Sequence, residues 1–101
     1  MIHVVASIKV KEGKRDTFLG IFKSNVPAVQ AEEGCIAYQP AVDFPSGFSS
    51  QQVDAQVVTV LETWESLEHL KAHLKAPHML AYREQTKDLV EGTSLKVLQN
   101  A

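Results

Sequence analysis

Ile2, Val4, Ala6, Ile8 and Val10 alternate with His3, Ser7 and Lys9 at the start of the chain. A period of two places the first set on one face of a strand. Glu12-Gly13-Lys14 supplies a turn, after which Phe18, Ile21, Phe22, Val26 and Val29 recur three and four residues apart. That spacing draws a single apolar stripe along a helix. Pro27 lies within the stripe and is expected to kink or divide the helix, because it has no N–H and crowds the preceding turn. Glu32-Glu33-Gly34 ends the element. Cys35 to Val42 reads as a second strand, with Pro40 favouring an edge position or a bulge.

Asp43 to Asp54 carries Pro45, Gly47 and several hydroxyl and amide side chains, the composition of a loop. It is long for a hairpin connection, and Phe44 and Phe48 within it suggest a lid or an arm onto a partner. Gln56 to Trp64 forms a third strand, with Val58, Val60, Glu62 and Trp64 on one face and Val57, Thr59, Leu61 and Thr63 on the other. Neither face is cleanly polar. Helices cover one face of a small antiparallel sheet, so the other needs a cover from elsewhere. A second copy of the chain is the expected source.

Ser66 is placed to N-cap the next helix, whose stripe is Leu67, Leu70 and Leu74. Pro77 breaks that helix and can open a continuation, carrying Met79, Leu80, Tyr82, Arg83, Leu89 and Val90 and closed by Gly92. Thr93, Leu95 and Val97 then alternate with Ser94 and Lys96 as a final strand. The order is βαββαβ, the ferredoxin-like split unit of the α+β class, in one domain over residues 1–101.

Composition narrows the function classes. The chain has 101 residues, 45% hydrophobic and 22% charged, with a formal net charge of −2, which is an ordinary globular balance. Lys and Arg are scattered, so the basic footprint of a nucleic-acid binder is missing. No run approaches the roughly 18 apolar residues of a membrane span, and the first residues lack a basic stretch followed by a long apolar one. A cytoplasmic protein with no membrane partner is expected. The one cysteine, Cys35, excludes an internal disulfide and any multi-cysteine metal site, and it is read as a small buried hydrophobe.

The chemistry-bearing residues crowd between Glu62 and Met79. His69 and His73 are four apart, the spacing that sets two imidazoles on one helix face. A metal would need a third ligand, with Glu68, His78 or Glu62 as nominees, but no zincin pattern is present. His69 as a solvated residue and His73 at the edge of the leucine stripe is the simpler reading. Trp64 shares a face with Glu62. If that face meets the helices, burial raises the carboxyl pKa and suits it to proton transfer; the structural alternative pairs Glu62 with Arg83 or a lysine. His78 follows Pro77 at a helix start, where the helix dipole favours the neutral imidazole that accepts a proton; a surface capping residue is the alternative. Neither GxGxxG, GxxxxGK[ST] nor GxSxG occurs.

"EEGCIAY" (Glu32 to Tyr38) and "LETWESLEHLKAHLKAPHMLAYRE" (Leu61 to Glu84) together resemble the antibiotic biosynthesis monooxygenase domain family. Within it the chain is similar to the small bacterial quinol monooxygenases that act on menadiol, nearly from end to end. The resemblance implies a dimeric α+β barrel, in which two ferredoxin-like sheets pack together and each protomer has a pocket between sheet and helices. It also implies oxygenation of quinols or polyphenols by O₂ without metal, flavin or haem. By that resemblance Trp64 is the pocket tryptophan, a hydrogen-bond donor and wall. Glu62, His73 and His78 are the proton handlers, and Tyr38, Val60, Tyr82 and Arg83 are substrate-binding candidates. Val60 stands where some antibiotic-pathway members have asparagine. Ser7 and Glu84 stand where the haem-degrading branch has its asparagine and histidine, which turns the reading away from haem. The alternative function is a dimeric small-molecule carrier or sensor with the same pocket.

Overall fold

In the computed structural model, which describes residues 1–101, the order is β1 (Ile2–Val10), α1 (Arg15–Gln30), β2 (Cys35–Val42), β3 (Val57–Trp64), α2 (Leu67–Lys75), α3 (Pro77–Thr86) and β4 (Val90–Leu98). The four strands form one antiparallel sheet in the order β2-β3-β1-β4. The βαββαβ pattern therefore stands, with its second helix in two pieces. Ala76 is extended, as a residue before proline tends to be, and it turns the chain between α2 and α3.

One face of the sheet carries the helices. Val4, Ala6, Ile8 and Val10 of β1 and Val58, Val60 and Trp64 of β3 are buried against Phe18, Phe22 and Val29 of α1. Phe22 is the centre of this layer. Its ring stacks on Tyr38 of β2 at 5.4 Å and meets Tyr82 of α3 edge-on at 5.7 Å. Such geometry adds about 0.5–1.5 kcal/mol per pair beyond the area removed from water.

Several local expectations change. α1 runs unbroken through Pro27, which falls in the last turn, where little helix remains to be disturbed. The leucine stripe of α2 is not its buried face: Leu70 and His73 are buried, while Leu67 and Leu74 are exposed. A rotation that places positions 70 and 73 inward puts an imidazole in the core. Gly92 does not close a helix. α3 stops at Thr86, and Gly92 lies inside β4, opposite Lys9. β2 is an edge strand, as Pro40 indicates, but its register irregularity falls between Cys35 and Ala37.

Apolar side chains lack cover at several places, among them Leu61 on the sheet face turned away from the helices. On β4, Leu95 and Val97 lie opposite Ala6 and Val4, hence on the helix side of the sheet, yet they are 58% and 50% exposed. The loop between β2 and β3 leaves Phe44 and Phe48 exposed while fastening itself through Gln51, whose amide donates to the Phe44 carbonyl at 2.9 Å.

The turn from α1 into β2 depends on Gly34. Its φ is +80°, and a Cβ there would overlap the ring and Cβ of His69 on α2. Gly13 has a similar φ of +77° with open space around it. Gly34→Ala is expected to cost more than the roughly 1–2 kcal/mol of a left-handed alanine alone, and Gly13→Ala only that amount. Denaturant unfolding of both variants checks this; equal losses would mean that the close approach of turn and helix is unimportant.

Candidate active site

The face of β3 that meets the helices is the one bearing Glu62 and Trp64, so a carboxylate enters the aromatic layer. Trp64 is fully buried, and its Nε1–H donates to Glu62 Oε1 at 3.0 Å. The strand fixes this pair: residues two apart on one face lie side by side. His73 of α2 packs over the Trp64 ring with centroids 4.6 Å apart, its Nε2 4.0 Å from Glu62 Oε1. Tyr38, opposite Glu62 in the β2–β3 register, meets the His73 ring edge-on at 5.4 Å.

The other nitrogen of His73 looks toward the α1–β2 turn. Its Nδ1 is 2.8 Å from Glu32 Oε2, and His78 Nε2 from α3 is 2.8 Å from the same oxygen. An ionised carboxylate only accepts hydrogen bonds, so Glu32 asks each imidazole to present an N–H. His73 thereby keeps its second nitrogen, Nε2, on the Glu62 side. Four elements thus build a run from His78 through Glu32 and His73 to Glu62 and Trp64, hydrogen-bonded except across the 4.0 Å between His73 and Glu62. No buried side-chain polar atom lacks a partner.

Burial pushes the Glu62 carboxyl above its ordinary value; the Trp64 hydrogen bond and the nearby His73 oppose the rise, and Glu32 adds to it. Burial also raises the Tyr38 phenol far above its usual range, with Glu62 the next cause. Tyr82 is pushed up to about 12, chiefly by burial. The Cys35 thiol is likewise raised by burial and then by Glu32 and Glu62, which keeps it protonated. The site therefore has two carboxylates, two imidazoles and no cationic side chain among the hydrogen-bond partners of Glu62.

The candidates from the sequence fall into two groups. Trp64, Glu62, His73 and His78 come together, with Tyr38 beside them. Tyr82 and Arg83 instead border an open cleft of about 490 Å³ between α3 and β4, whose other walls include Ile8, Thr86, Lys87 and Val90. None of the three clefts in the surface is lined by Trp64, Glu62, Glu32, His73 or His78. Trp64 is thus a core residue gripping Glu62 and not an open pocket wall. Val60, at 2% exposure, packs in the core and lines no cleft. Glu62 pairs with neither Arg83 nor a lysine; Arg83 Nη2 donates to the Leu74 carbonyl at 2.7 Å. The two histidines of α2 diverge, since His69 Nδ1 lies 2.7 Å from the Ser66 hydroxyl on the surface.

Glu32 is the site residue that sequence reasoning passed over. It stands in Glu32-Glu33-Gly34, which reads as the end of a helix. Its partners lie 41 and 46 positions away, a separation no local pattern reports.

The profile of the antibiotic biosynthesis monooxygenase family matches residues 1–85. The chain is 41% identical to the probable quinol monooxygenase YgiN of Escherichia coli K12, over 98% of this chain and 97% of that one. Among solved structures, a conserved protein of Methanosarcina mazei superposes with a TM-score of 0.85 at 24% identity, covering 99% of this chain and 92% of that one. A protein of Pseudomonas aeruginosa gives a TM-score of 0.83 at 19% identity, covering 99% and 93%. At those identities the two structures speak for the fold.

A carboxyl with a raised folded pKa binds its proton more tightly folded than unfolded. Its contribution to stability is present below the ordinary value of 4.5 and is lost as pH rises through the raised value. Glu62→Gln keeps an acceptor for Trp64 and removes the ionisation. Its stability relative to wild type should climb as pH rises from about 4 toward 8, read as the difference in thermal midpoints. A relative loss that deepens with pH would mean that Glu62 is held instead as a stabilising anion.

Proposed function

The chain belongs to the antibiotic biosynthesis monooxygenase family, and on that premise we propose that it oxygenates quinols or related polyphenols of menadiol size, without metal, flavin or haem. The observation that carries this reading is the Glu62 carboxyl, desolvated beside Trp64 and His73 and paired with no lysine or arginine. The likeness to a relative named as a probable quinol monooxygenase supports the substrate class.

A neutral hydroquinone gives up an electron to O₂ poorly, and its anion does so far better. A simple phenol has a pKa of about 10, so little anion exists at neutral pH unless a base removes the proton. A buried carboxyl with an elevated pKa is matched to that task. Trp64 holds Oε1 and leaves Oε2 to accept the substrate hydroxyl proton. The quinolate passes an electron to O₂, and the resulting radical pair recombines at a ring carbon. Loss of water from the adduct completes the balance: quinol plus O₂ becomes hydroxyquinone plus H₂O, with all four electrons supplied by the substrate.

We place the substrate ring at the α3–β4 cleft, where Ile8 and Val90 offer apolar walls and Arg83, Lys87 and Glu91 a rim of mixed charge. Tyr82, Phe22 and Tyr38 form the layer between this cleft and His73. Tyr82, on the cleft and 9% exposed, is the first of these rings that has to move for a hydroxyl to reach Glu62. The closed state of the cluster also favours a second reading, a carrier or sensor whose ligand stays in the cleft. The exposed Leu95 and Val97 of β4 and the Phe44/Phe48 loop fit a second copy of the chain as their cover.

Menadiol is added anaerobically, followed by a pulse of oxygen, with the protein-free rate as control. Uptake well above the control is expected, falling about 10²–10⁴-fold in Glu62→Gln, the usual value of a general base. Trp64→Phe should cost about 10- to 100-fold, equivalent to the 1.5–3 kcal/mol of a hydrogen bond to a charged group. Ligand binding without accelerated uptake would favour the carrier. For the assembly, sedimentation should find a dimer that Leu95→Lys weakens at least 10-fold; a wild-type monomer at micromolar concentration would end the dimer proposal.

A further inference from the structure

A base that takes a proton inside the core must lose it again before the next turnover. Glu62 has a side chain only 9% exposed, so direct return of the proton to water is hindered. Its neighbour His73 is more buried still at 2%, and from there accessibility rises through Glu32 at 14% to His78 at 29%. The contacts along it are 4.0 Å from Glu62 Oε1 to His73 Nε2, then 2.8 Å from His73 Nδ1 to Glu32 Oε2, then 2.8 Å on to His78 Nε2.

We infer that Glu32 and His73 form the proton exit for Glu62, with His78 as the positioning residue that holds Glu32; this rests on the quinol monooxygenase reading. The proton on Glu62 crosses to His73 Nε2 through a water bridging the 4.0 Å gap, the Nδ1 proton of His73 moves to Glu32, and a flip of the imidazole ring restores the Nδ1–H form for the next turnover. The Glu32 carboxyl, partly open to solvent, then releases it to water. His78 keeps its own N–H throughout. By donating to the same Glu32 oxygen it fixes the position of the carboxylate. Cys35 and Tyr38 on β2 and Tyr82 on α3 also border the path, and burial keeps all three protonated. At the α1–β2 turn, Glu33 lies 3.9 Å from His69.

The geometry makes Glu32 hard to replace by accident. It comes from the α1–β2 turn, while the imidazoles come from α2 and α3, which separate at Ala76. A carboxylate at the junction of three elements meets both rings at 2.8 Å only because the helix break aims them at one oxygen. A merely structural bridge would show its value in stability alone, whereas an exit also governs turnover.

The test pairs kinetics with tautomer measurement by nitrogen-15 NMR of the histidine rings. In the wild type, His73 should carry its proton on Nδ1. In Glu32→Leu it should shift to the Nε2–H form that neutral imidazole ordinarily prefers. In Glu32→Gln, kcat for menadiol-dependent oxygen uptake should fall at least 10-fold with KM changed less than twofold. Added imidazole buffer should restore a good part of that loss, and Glu32→Asp should retain more activity than Glu32→Gln. His78→Gln should give a smaller loss than Glu32→Gln, also restored by buffer. A His73 tautomer indifferent to Glu32, or a kcat loss that no buffer restores, would overturn the inference in an active enzyme. A wild type that shows the Glu32-dependent tautomer but no oxygen uptake would instead overturn the quinol reading, and the exit role with it.

Discussion

An ionisable group inside the core of a small protein has to be answered by another polar group, and here one answer leads to the next. Glu62 enters an aromatic layer and is met by the indole N–H of Trp64. His73 is buried against that indole and is met by Glu32. Glu32 in turn is met by His78 near the surface. Leaving any buried member without its partner would cost on the order of 1–3 kcal/mol or more, so the network and the packing that surrounds it hold each other in place.

The fold is arranged around that requirement. Gly34 lets the α1–β2 turn press against His69, which brings Glu32 under α2. The Ala76-Pro77 break gives α2 and α3 different directions, so two histidines five positions apart in the chain approach one oxygen from separate helices. The inward rotation of α2 exchanges an expected leucine for an imidazole. Each of these departures from the simplest packing serves a buried polar contact, which is where local pattern and tertiary structure are expected to disagree.

The aromatic rings give the same cluster a dry wall. Phe22 joins Tyr38 and Tyr82, and Tyr82 faces the α3–β4 cleft. Charged chemistry lies on one side of the layer and an open recess of mixed charge on the other. In such a setting electrostatic interactions are strong because water does not screen them, and small movements of one ring decide what the buried carboxylate can meet. The helix-side residues Leu95 and Val97 of β4 add exposed apolar surface on the same side of the sheet.

Strand and helix periodicity, the turn at Glu12-Gly13-Lys14, the edge position of β2 and the break at Pro77 were all legible in the sequence, because each rests on neighbours within a few residues. So was the crowding of Glu62, Trp64, His73 and His78 into one stretch, and with it the family. Which face of β3 turned inward, and that His73 rather than Leu74 did so on α2, were decided only by tertiary packing, since either choice satisfies the local pattern. Glu32 was beyond the reach of the sequence for the same reason: a carboxylate at the end of a helix is ordinary until two imidazoles from distant positions are folded onto it. Local periods determine what elements form, and long-range hydrogen bonding determines which polar side chains the core can afford to admit.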